Sequence, residues 1–250
     1  MTGVFITARL GSTRLAQKHL IQVNGRSFIE WLAARLSHEF SPEIGSKSMK
    51  IFITTSVRQE NKKFDEFFSG TPIEIFYGSD ENIPLRHLEC AEANGIENII
   101  SIDGDDILCS TQAARQVMNK LLQNSMAAHT VGLPLGMNVS GYQTGFLKES
   151  LEKSKSNKLE TGWGKIFDAE KNEVINIKAD ESGNKLRMTL DYPDDSVFFE
   201  KVIAGIGDEI IRIDDAALID TILKNEWYKL NDSLSEEYWE NFNKKKQLDD

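Results

Sequence analysis

Cysteine is scarce in this sequence: Cys90 and Cys109 are the only two in 250 residues. Their spacing fits no metal-binding pattern and both lie in apolar segments, so they read as reduced core thiols. No apolar run reaches the length of a membrane-spanning helix. The chain opens on a short strand and a charged loop instead of an apolar signal segment, so a cytoplasmic location is expected. Basic residues are in deficit, with 29 Lys and Arg against 39 Asp and Glu and a net charge of −10. That balance argues against general binding to nucleic acid or to anionic membranes. Histidine is also sparse. The four are scattered, and no Ser-His-Asp or Cys-His arrangement stands out. No glycine directly precedes a Lys-Ser or Lys-Thr pair, which excludes a Walker A loop, and the second and third glycines of a dinucleotide fingerprint are missing. There is no internal repeat.

What is present is enough apolar sequence, 40%, for one large α/β domain. Its most informative stretch is Val4–His19, VFITARLGSTRLAQKH. A short apolar strand enters a small-residue loop flanked by Arg9, Arg14 and Lys18. Such a loop can turn backbone N–H groups inward as an anion cradle, and arginine forks suit phosphate oxygens. In an acidic chain three cations here are conspicuous. From spacing alone, a surface loop with solvated cations is an equal alternative.

Further on, strand and helix signals alternate. Ser27 and Glu30 form a capping-box pattern before an amphipathic helix. The stretch Ser41–Lys50 reads as a loop and Lys50–Ser56 as a buried strand. Gln59–Ser69 reads as a helix, Pro72–Tyr77 as a strand, and Pro84–Asn94 as a helix stopped by Gly95. Asn98–Ile102 is the next strand and runs into Asp103-Gly104-Asp105-Asp106, followed by a helix over Ser110–Asn124. This alternation predicts a mostly parallel sheet with helices on both faces. Strand-like segments follow at Ala127–Leu133 and Gly136–Tyr142, then a helix over Phe146–Ser154 and a linker over Lys155–Leu159. Strands are expected at Glu173–Lys178 and Leu186–Leu190, with a turn at Asp180–Asn184 between them. Residues 127–185 are taken as an inserted subdomain of antiparallel character. A helix from Pro193, a short strand at Ile210–Ile213, a helix over Asp214–Lys224 and an aromatic, lysine-rich tail from Leu234 complete the chain.

In open α/β sheets, ligands collect beyond the carboxyl ends of strands. Asp103-Gly104-Asp105 lies at one such end, two carboxylates with a flexible glycine between them, and Asp191 at another, each followed by a helix. Carboxylates so placed suit Mg²⁺, which takes one or two of them together with phosphate oxygens and water. Capping of the following helices is the competing explanation, strongest for Asp106, Asp194 and Asp195. His19, beside Lys18, reads as structural or solvated.

The segment ITARLGSTRLAQKHL resembles the opening signature of the cytidylyltransferases that make CMP-activated sugars. The similarity is to the branch of spore coat polysaccharide biosynthesis protein F, related to the CMP-Kdo and CMP-acylneuraminate synthetases. The segments IFITTS, YGSDENIPLRHLECAEANG, IISIDGDDIL and KLRMTLDYPDDSVFFEKV agree with the family in order, so the resemblance spans about residues 3–225. It implies a three-layer α/β/α sandwich of the nucleotide-diphospho-sugar transferase (Rossmann-like) fold, one domain over 1–250, with 127–185 on the acceptor side or at a homodimer interface. It implies transfer of CMP from CTP to a sugar acid of nonulosonate or Kdo type, releasing pyrophosphate, with Mg²⁺. By motif position, Arg9, Lys18 and Asp105 would be catalytic and Asp105 and Asp191 would hold the metal. Ala8, Arg9, Leu10, Gly11, Ser12, Arg14 and Lys18, with Thr55, Ser56, Gly78, Ser79 and Gly104, would bind the nucleotide. Three departures are notable. Ala16-Gln17 stands where the family has Pro-Gly, Asp106–Cys109 differs from the usual stretch after Gly-Asp, and the segment around Thr161–Ile166 fits the acceptor-side pattern loosely. The alternatives are a phosphonate or other phosphorylated acceptor, an Asp-x-Asp glycosyltransferase using Asp103-Gly104-Asp105, and a non-catalytic nucleotide-binding protein.

Overall fold

The computed structural model describes residues 1–154, 156–160, 162–177 and 186–234. Strand β1, Thr2–Thr7, is buried on both faces: Val4 and Ile6 enter one core cluster and Phe5 the other. Burial of both faces is what a central strand of a parallel sheet requires. The chain then passes through the cation-rich loop to a hairpin of β2, Gln22–Val23, and β3, Arg26–Ser27, turned by Asn24-Gly25. Helix α1, Phe28–Glu39, begins at the expected capping box, where Ser27 N–H donates to Glu30 at 2.7 Å. A short helix α2, Ser41–Gly45, occupies part of the predicted loop, with Pro42 in its first turn setting φ for helix.

Strand β4 (Met49–Ser56) is followed by a 3₁₀ turn at Gln59–Lys63 and a short α3 (Phe64–Phe68), so the single helix expected there is divided. Then come β5 (Ile73–Gly78), α4 (Ile83–Asn94), β6 (Asn98–Asp103) and α5 (Thr111–Leu122). Gly95 ends α4 at φ 63, a left-handed conformation that glycine adopts without a steric penalty. β1 pairs in parallel with β4 and β6, and β4 with β5, so their carboxyl ends share one edge of the sheet.

Beyond β6 the direction alternates. β7 (Ala127–Val131), β8 (Ser140–Gln143) and β9 (Asn172–Asn176), with α6 (Thr144–Lys153) between the last two, complete the order β5-β4-β1-β6-β8-β7-β9. β8 is antiparallel to β6 and β7, while β9 is parallel to β7. The strands of the 127–185 region therefore extend the main sheet; among the described residues the separate small antiparallel sheet is β2–β3. Helices α7 (Pro193–Ile206) and α8 (Asp215–Lys224) close the described chain.

Two expected strands are not strands. Leu186–Leu190 makes only an isolated bridge from Arg187 to Leu135, because its amides are taken by loops: Met188 N–H bonds Leu135 O and Leu190 N–H bonds Asp105 O, each at 2.8 Å. Ile210 and Ile211 end a 3₁₀ turn over Gly207–Ile211, and the amides of Arg212 and Ile213 bond back to Glu209 O. Buried Arg35 donates to the Ile210 carbonyl and fixes that turn against α1. The Asp180–Asn184 turn and the tail beyond Leu234 lie outside the described residues.

Two cores flank the sheet. One gathers side chains of α1, α3, α5, α7 and α8, and the other those of α4 and α6. This is the three-layer α/β/α sandwich. Burying one Phe, Leu or Ile in such a layer contributes about 1.5–3 kcal/mol.

Candidate active site

The carboxyl edge of the parallel strands carries the site. The loop after β1 returns to the sheet through the 3₁₀ turn Lys18–Leu20, which buries Lys18 and His19. Gln17, just before it, has φ 49. The position where the family pattern places glycine is thus a left-handed one, occupied here by a residue that adopts it at a cost. Lys63 Nζ donates to the Gln17 side chain at 3.2 Å and helps to hold it.

Lys18 is the hub. Its ammonium lies 2.7 Å from Asp105 Oδ2 and 3.3 Å from Asp191 Oδ1, and it donates to Leu190 O at 2.7 Å. Burial opposes its charge, but the two carboxylates outweigh that and raise its pKa, so it stays an ammonium at neutral pH. His19 Nε2 meets the other Asp105 oxygen at 2.8 Å. Burial pushes the Asp105 pKa up; Lys18 and the His19 hydrogen bond reverse that and hold the carboxyl well below its usual range. Asp191 is ringed by cations: Arg14 donates to Oδ1 and Arg187 lies 3.5 Å from Oδ2. Arg187 is itself fixed by Asp195 at 2.9 and 3.0 Å. Asp195 also accepts from the Tyr192 N–H at 3.0 Å, which is the helix-capping role expected of it.

Arg14, Lys18, His19, Asp105 and Asp191 line a cavity of about 300 Å³. Of the residues singled out in the sequence, Ala8, Arg9, Gly11, Ser12, Arg14, Lys18, Asp105 and Asp191 line it. Leu10 is buried and anchors the loop, its N–H donating to Asn61 Oδ1 at 2.8 Å. Gly104 lies beneath: a Cβ there would be 2.9 Å from both Thr7 O and the Ala8 methyl, so only glycine lets the two loops meet. Thr55, Ser56, Gly78 and Ser79 are not among the lining residues. Thr55 is fully buried, and Ser56 Oγ accepts from Asn61 at 2.9 Å. Ser79 N–H donates to Glu89 at 2.9 Å and its carbonyl accepts from Arg86 at 2.8 Å. From that stretch Asp80, Ile83 and Arg86 reach the cavity instead. Burial, and then nearby Arg9, lower the Arg86 pKa to about 10, and the group remains charged at neutral pH.

Sequence reasoning gave no site role to His19 or Glu160, both of which line the cavity; Asp103, singled out with Asp105 as a carboxylate suited to Mg²⁺, lines it as well. Glu160 pairs with Arg9 at 3.1 Å, across 151 residues of chain. Asp103, at the end of β6, is exposed to the cavity; burial of its surroundings and then Asp105 raise its pKa to about 6.

Mg²⁺ has a fitting donor set. Asp105 and Asp191 converge on one cation, the Lys18 ammonium, and both offer hard oxygens. Among the described residues no group of three or more His, Cys, Asp or Glu is arranged as a metal cage. That suits an ion which completes its shell with phosphate and water. Asp105, with a third of its side chain exposed, is the more available donor, because Asp191 is 7% exposed.

A phosphate-sized cavity, floored by a glycine-serine loop and walled by buried cations at the carboxyl edge of a three-layer sandwich, defines a nucleotidyl-handling protein. Residues 4–174 match the cytidylyltransferase family, and the chain belongs to it. The matched span ends before Asp191. An uncharacterized protein of Methanocaldococcus jannaschii is 26% identical over 156 residues, 62% of this chain and 60% of that relative, so the chain matches about three fifths of the relative's length. A cytidylyltransferase from Leptospira borgpetersenii shares the fold with a TM-score of 0.76 at 19% identity, covering 90% of this chain and 94% of that one. A CMP:2-keto-3-deoxy-manno-octonic acid synthetase complexed with CTP does so with a TM-score of 0.59 at 12% identity, covering 82% and 98%. A nucleotidyl transferase from Methanothermobacter thermautotrophicus gives a TM-score of 0.57 at 14% identity, covering 80% and 96%. Family membership sets aside the glycosyltransferase reading of Asp103-Gly104-Asp105. Among the described residues no helix is long and apolar enough to cross a membrane.

Proposed function

We propose that the protein transfers the cytidylyl group of CTP to a hydroxyl of a small acceptor and releases pyrophosphate. The observation that carries this is the convergence of Lys18 and Arg14 on Asp105 and Asp191, at the ends of two distant segments, in one cavity. In this reading the acceptor oxygen bonds to the α-phosphorus, the bond to the β-phosphate oxygen breaks in line, and the hydroxyl proton passes to water. Lys18, Arg14 and Arg9 hold the phosphate oxygens and offset their charge, and the Gly11–Thr13 backbone cradles them. Asp105 and Asp191 would hold Mg²⁺, which supplies further neutralisation of the triphosphate when bound.

Lys18→Ala or Asp105→Asn removes one preorganised charge contact, worth on the order of 3 kcal/mol, so turnover falls about 100-fold. Coupled-assay measurement of pyrophosphate release from CTP checks this, and near-normal release from either variant sinks the assignment. Tight CTP binding with no turnover on any acceptor identifies a non-catalytic nucleotide-binding protein instead. The resemblance points to a sugar acid as acceptor, with a phosphonate second. The 127–185 region is proposed as the acceptor side and as the surface through which two copies pair. Sedimentation equilibrium tests the pairing, with a monomer at micromolar concentration as the contrary result.

A further inference from the structure

Lys18 holds the point where Asp105 and Asp191 meet. An ammonium has three N–H donors. Those of Lys18 have three oxygens within reach: Asp105 Oδ2 at 2.7 Å, Leu190 O at 2.7 Å and Asp191 Oδ1 at 3.3 Å. Its donors are therefore spent on the chain's own oxygens.

The carboxylates are equally committed. Asp105 Oδ1 meets His19 Nε2 at 2.8 Å, so both of its oxygens have a partner. Asp191 Oδ1 also accepts from Arg14, and Oδ2 has Arg187 at 3.5 Å. Asp195 answers Arg187 in turn at 2.9 Å. Lys18, Arg14 and Arg187 thus balance Asp105, Asp191 and Asp195. A divalent cation that approaches this cluster alone meets like charge at close range and finds its oxygen donors taken.

The count matters because the proposed function asks Lys18 to hold phosphate oxygens. With its N–H groups spent, Lys18 takes a phosphate oxygen only by giving up one of its present three. Giving up a carboxylate leaves a largely buried anion one partner short, which is costly. A cation that arrives with the phosphate removes that cost.

We propose that Lys18 is a stand-in cation: it occupies the seat between Asp105 and Asp191 and bars it to free Mg²⁺, so that the protein takes Mg²⁺ and CTP as one complex. Lys18 exchanges a carboxylate for a phosphate oxygen as the complex enters. His19 keeps its hold on Asp105 Oδ1, and Arg187 its place beside Asp191 Oδ2, so the exchange is confined to the oxygens that face Lys18. No covalent bond changes and no proton moves. The identity of the entering anion rests on the cytidylyltransferase reading; the exclusion of free metal by Lys18 does not.

The test is Mn²⁺ binding without nucleotide, followed by electron paramagnetic resonance. Lys18→Gln is expected to bind Mn²⁺ at least about tenfold more tightly than the unmodified protein, since a positive charge leaves the seat. Arg14→Gln removes an equal charge from Asp191 but leaves Lys18 in place, and a gain below about threefold is expected there. Lys18→Gln leaves two carboxylates short of a partner, so its melting temperature should rise on adding millimolar Mg²⁺, while that of the unmodified protein stays unchanged. Mn²⁺ bound by the unmodified protein as tightly as by Lys18→Gln, or an equal gain in Arg14→Gln, overturns the proposal. So does micromolar Mn²⁺ binding by the unmodified protein without nucleotide, whatever the variants do. Calorimetric titration of the unmodified protein with CTP, in Mg²⁺ and in EDTA, keeps the two readings apart. CTP is expected to bind at least about tenfold more tightly with Mg²⁺, and equal affinity in the two buffers overturns the exchange. No CTP binding in either buffer removes the nucleotide reading, whereas the Mn²⁺ comparison still decides whether Lys18 holds the seat.

Discussion

Gln17 occupies a left-handed backbone position, φ 49, one residue before the lysine on which the site turns. A side chain there costs about 1–2 kcal/mol, and glycine removes that cost while adding some entropy to the unfolded chain. Gln17→Gly is therefore expected to stabilise the protein by about 0.5–1 kcal/mol, read from the urea midpoint. An unchanged or lower midpoint would show that the Lys63 contact outweighs the strain. Arg9 tells a second story at this scale. In the proposed function its pairing with Glu160 would compete with phosphate, and a surface pair of this kind is worth about 0.2–1 kcal/mol. Glu160→Gln should tighten CTP binding by roughly two- to fivefold, measured by calorimetry. Weaker binding would mean that Glu160 positions Arg9 for the nucleotide. Arg9, Arg14 and Lys18 were legible in the sequence because three cations around a small-residue loop stand out in an acidic chain. His19 was not, since a lone histidine gives no signal until β6 brings Asp105 to it. That Thr55, Ser56, Gly78 and Ser79 do not line the cavity has a related reason: sequence locates a strand end, but not which way its last side chains point.

At the scale of elements, the helix after β6 shows how one residue can tie two parts of the fold. Ser110 accepts from Ala113 N–H at 2.8 Å as the cap of α5, and it donates to buried Asp215 at the start of α8. Ser110→Ala loses a cap worth about 0.5–2 kcal/mol and strands a buried carboxylate at about 1–3 kcal/mol. Destabilisation of about 2–4 kcal/mol in chemical denaturation is expected. A loss under 1 kcal/mol would show that Asp215 finds another partner. The alternation of strand and helix through α5 could be read from periodicity, because each unit buries a local apolar face. The order β6-β8-β7-β9 could not, since it depends on pairings between segments far apart in the chain. Leu186–Leu190 shows the limit most clearly. Its apolar pattern is that of a strand, yet it lies across loop ends, where the carbonyls of Leu135 and Asp105 are its partners.

For the molecule as a whole, two groups with shifted pKa values have opposite effects on the pH dependence of stability: buried His87, shifted down, and Asp103, shifted up. His87 lies 2.8 Å from Thr7 Oγ1 and 2.6 Å from Tyr142 OH. Burial, and then Arg86, lower its pKa to about 3. Between its ordinary value and that one, the unfolded chain binds a proton that the folded chain refuses. Stability from this residue therefore falls as pH drops, by about 1.4 kcal/mol per pH unit. Asp103, raised to about 6, works the other way: from its ordinary carboxyl range up to that value the folded chain holds a proton that the unfolded chain has lost, so this contribution grows as pH falls. The two oppose each other, and a nearly flat wild-type curve between pH 4 and 6 would hide both. The difference between wild type and His87→Gln exposes the histidine: the variant's stability relative to wild type should rise steadily from about pH 6 to 4. A difference curve with no slope would show that His87 is protonated in the folded protein.

The contact between Lys18 and Leu190–Asp191, closed across 172 residues of chain, also sets a timetable. During synthesis the strands β1 to β9 are all made by residue 176, while the partner of Lys18 and Arg14 at Asp191 is still to come. Until then the loop carries more positive charge than its surroundings answer, and the face later covered by α7 and α8 stands open. The sheet can thus exist before the site does. A nascent or truncated chain ending near residue 177 would hold every strand of the described residues and yet lack Asp191, so in the proposed function gain of CTP affinity would mark the last stage of folding, when the segment 186–234 docks.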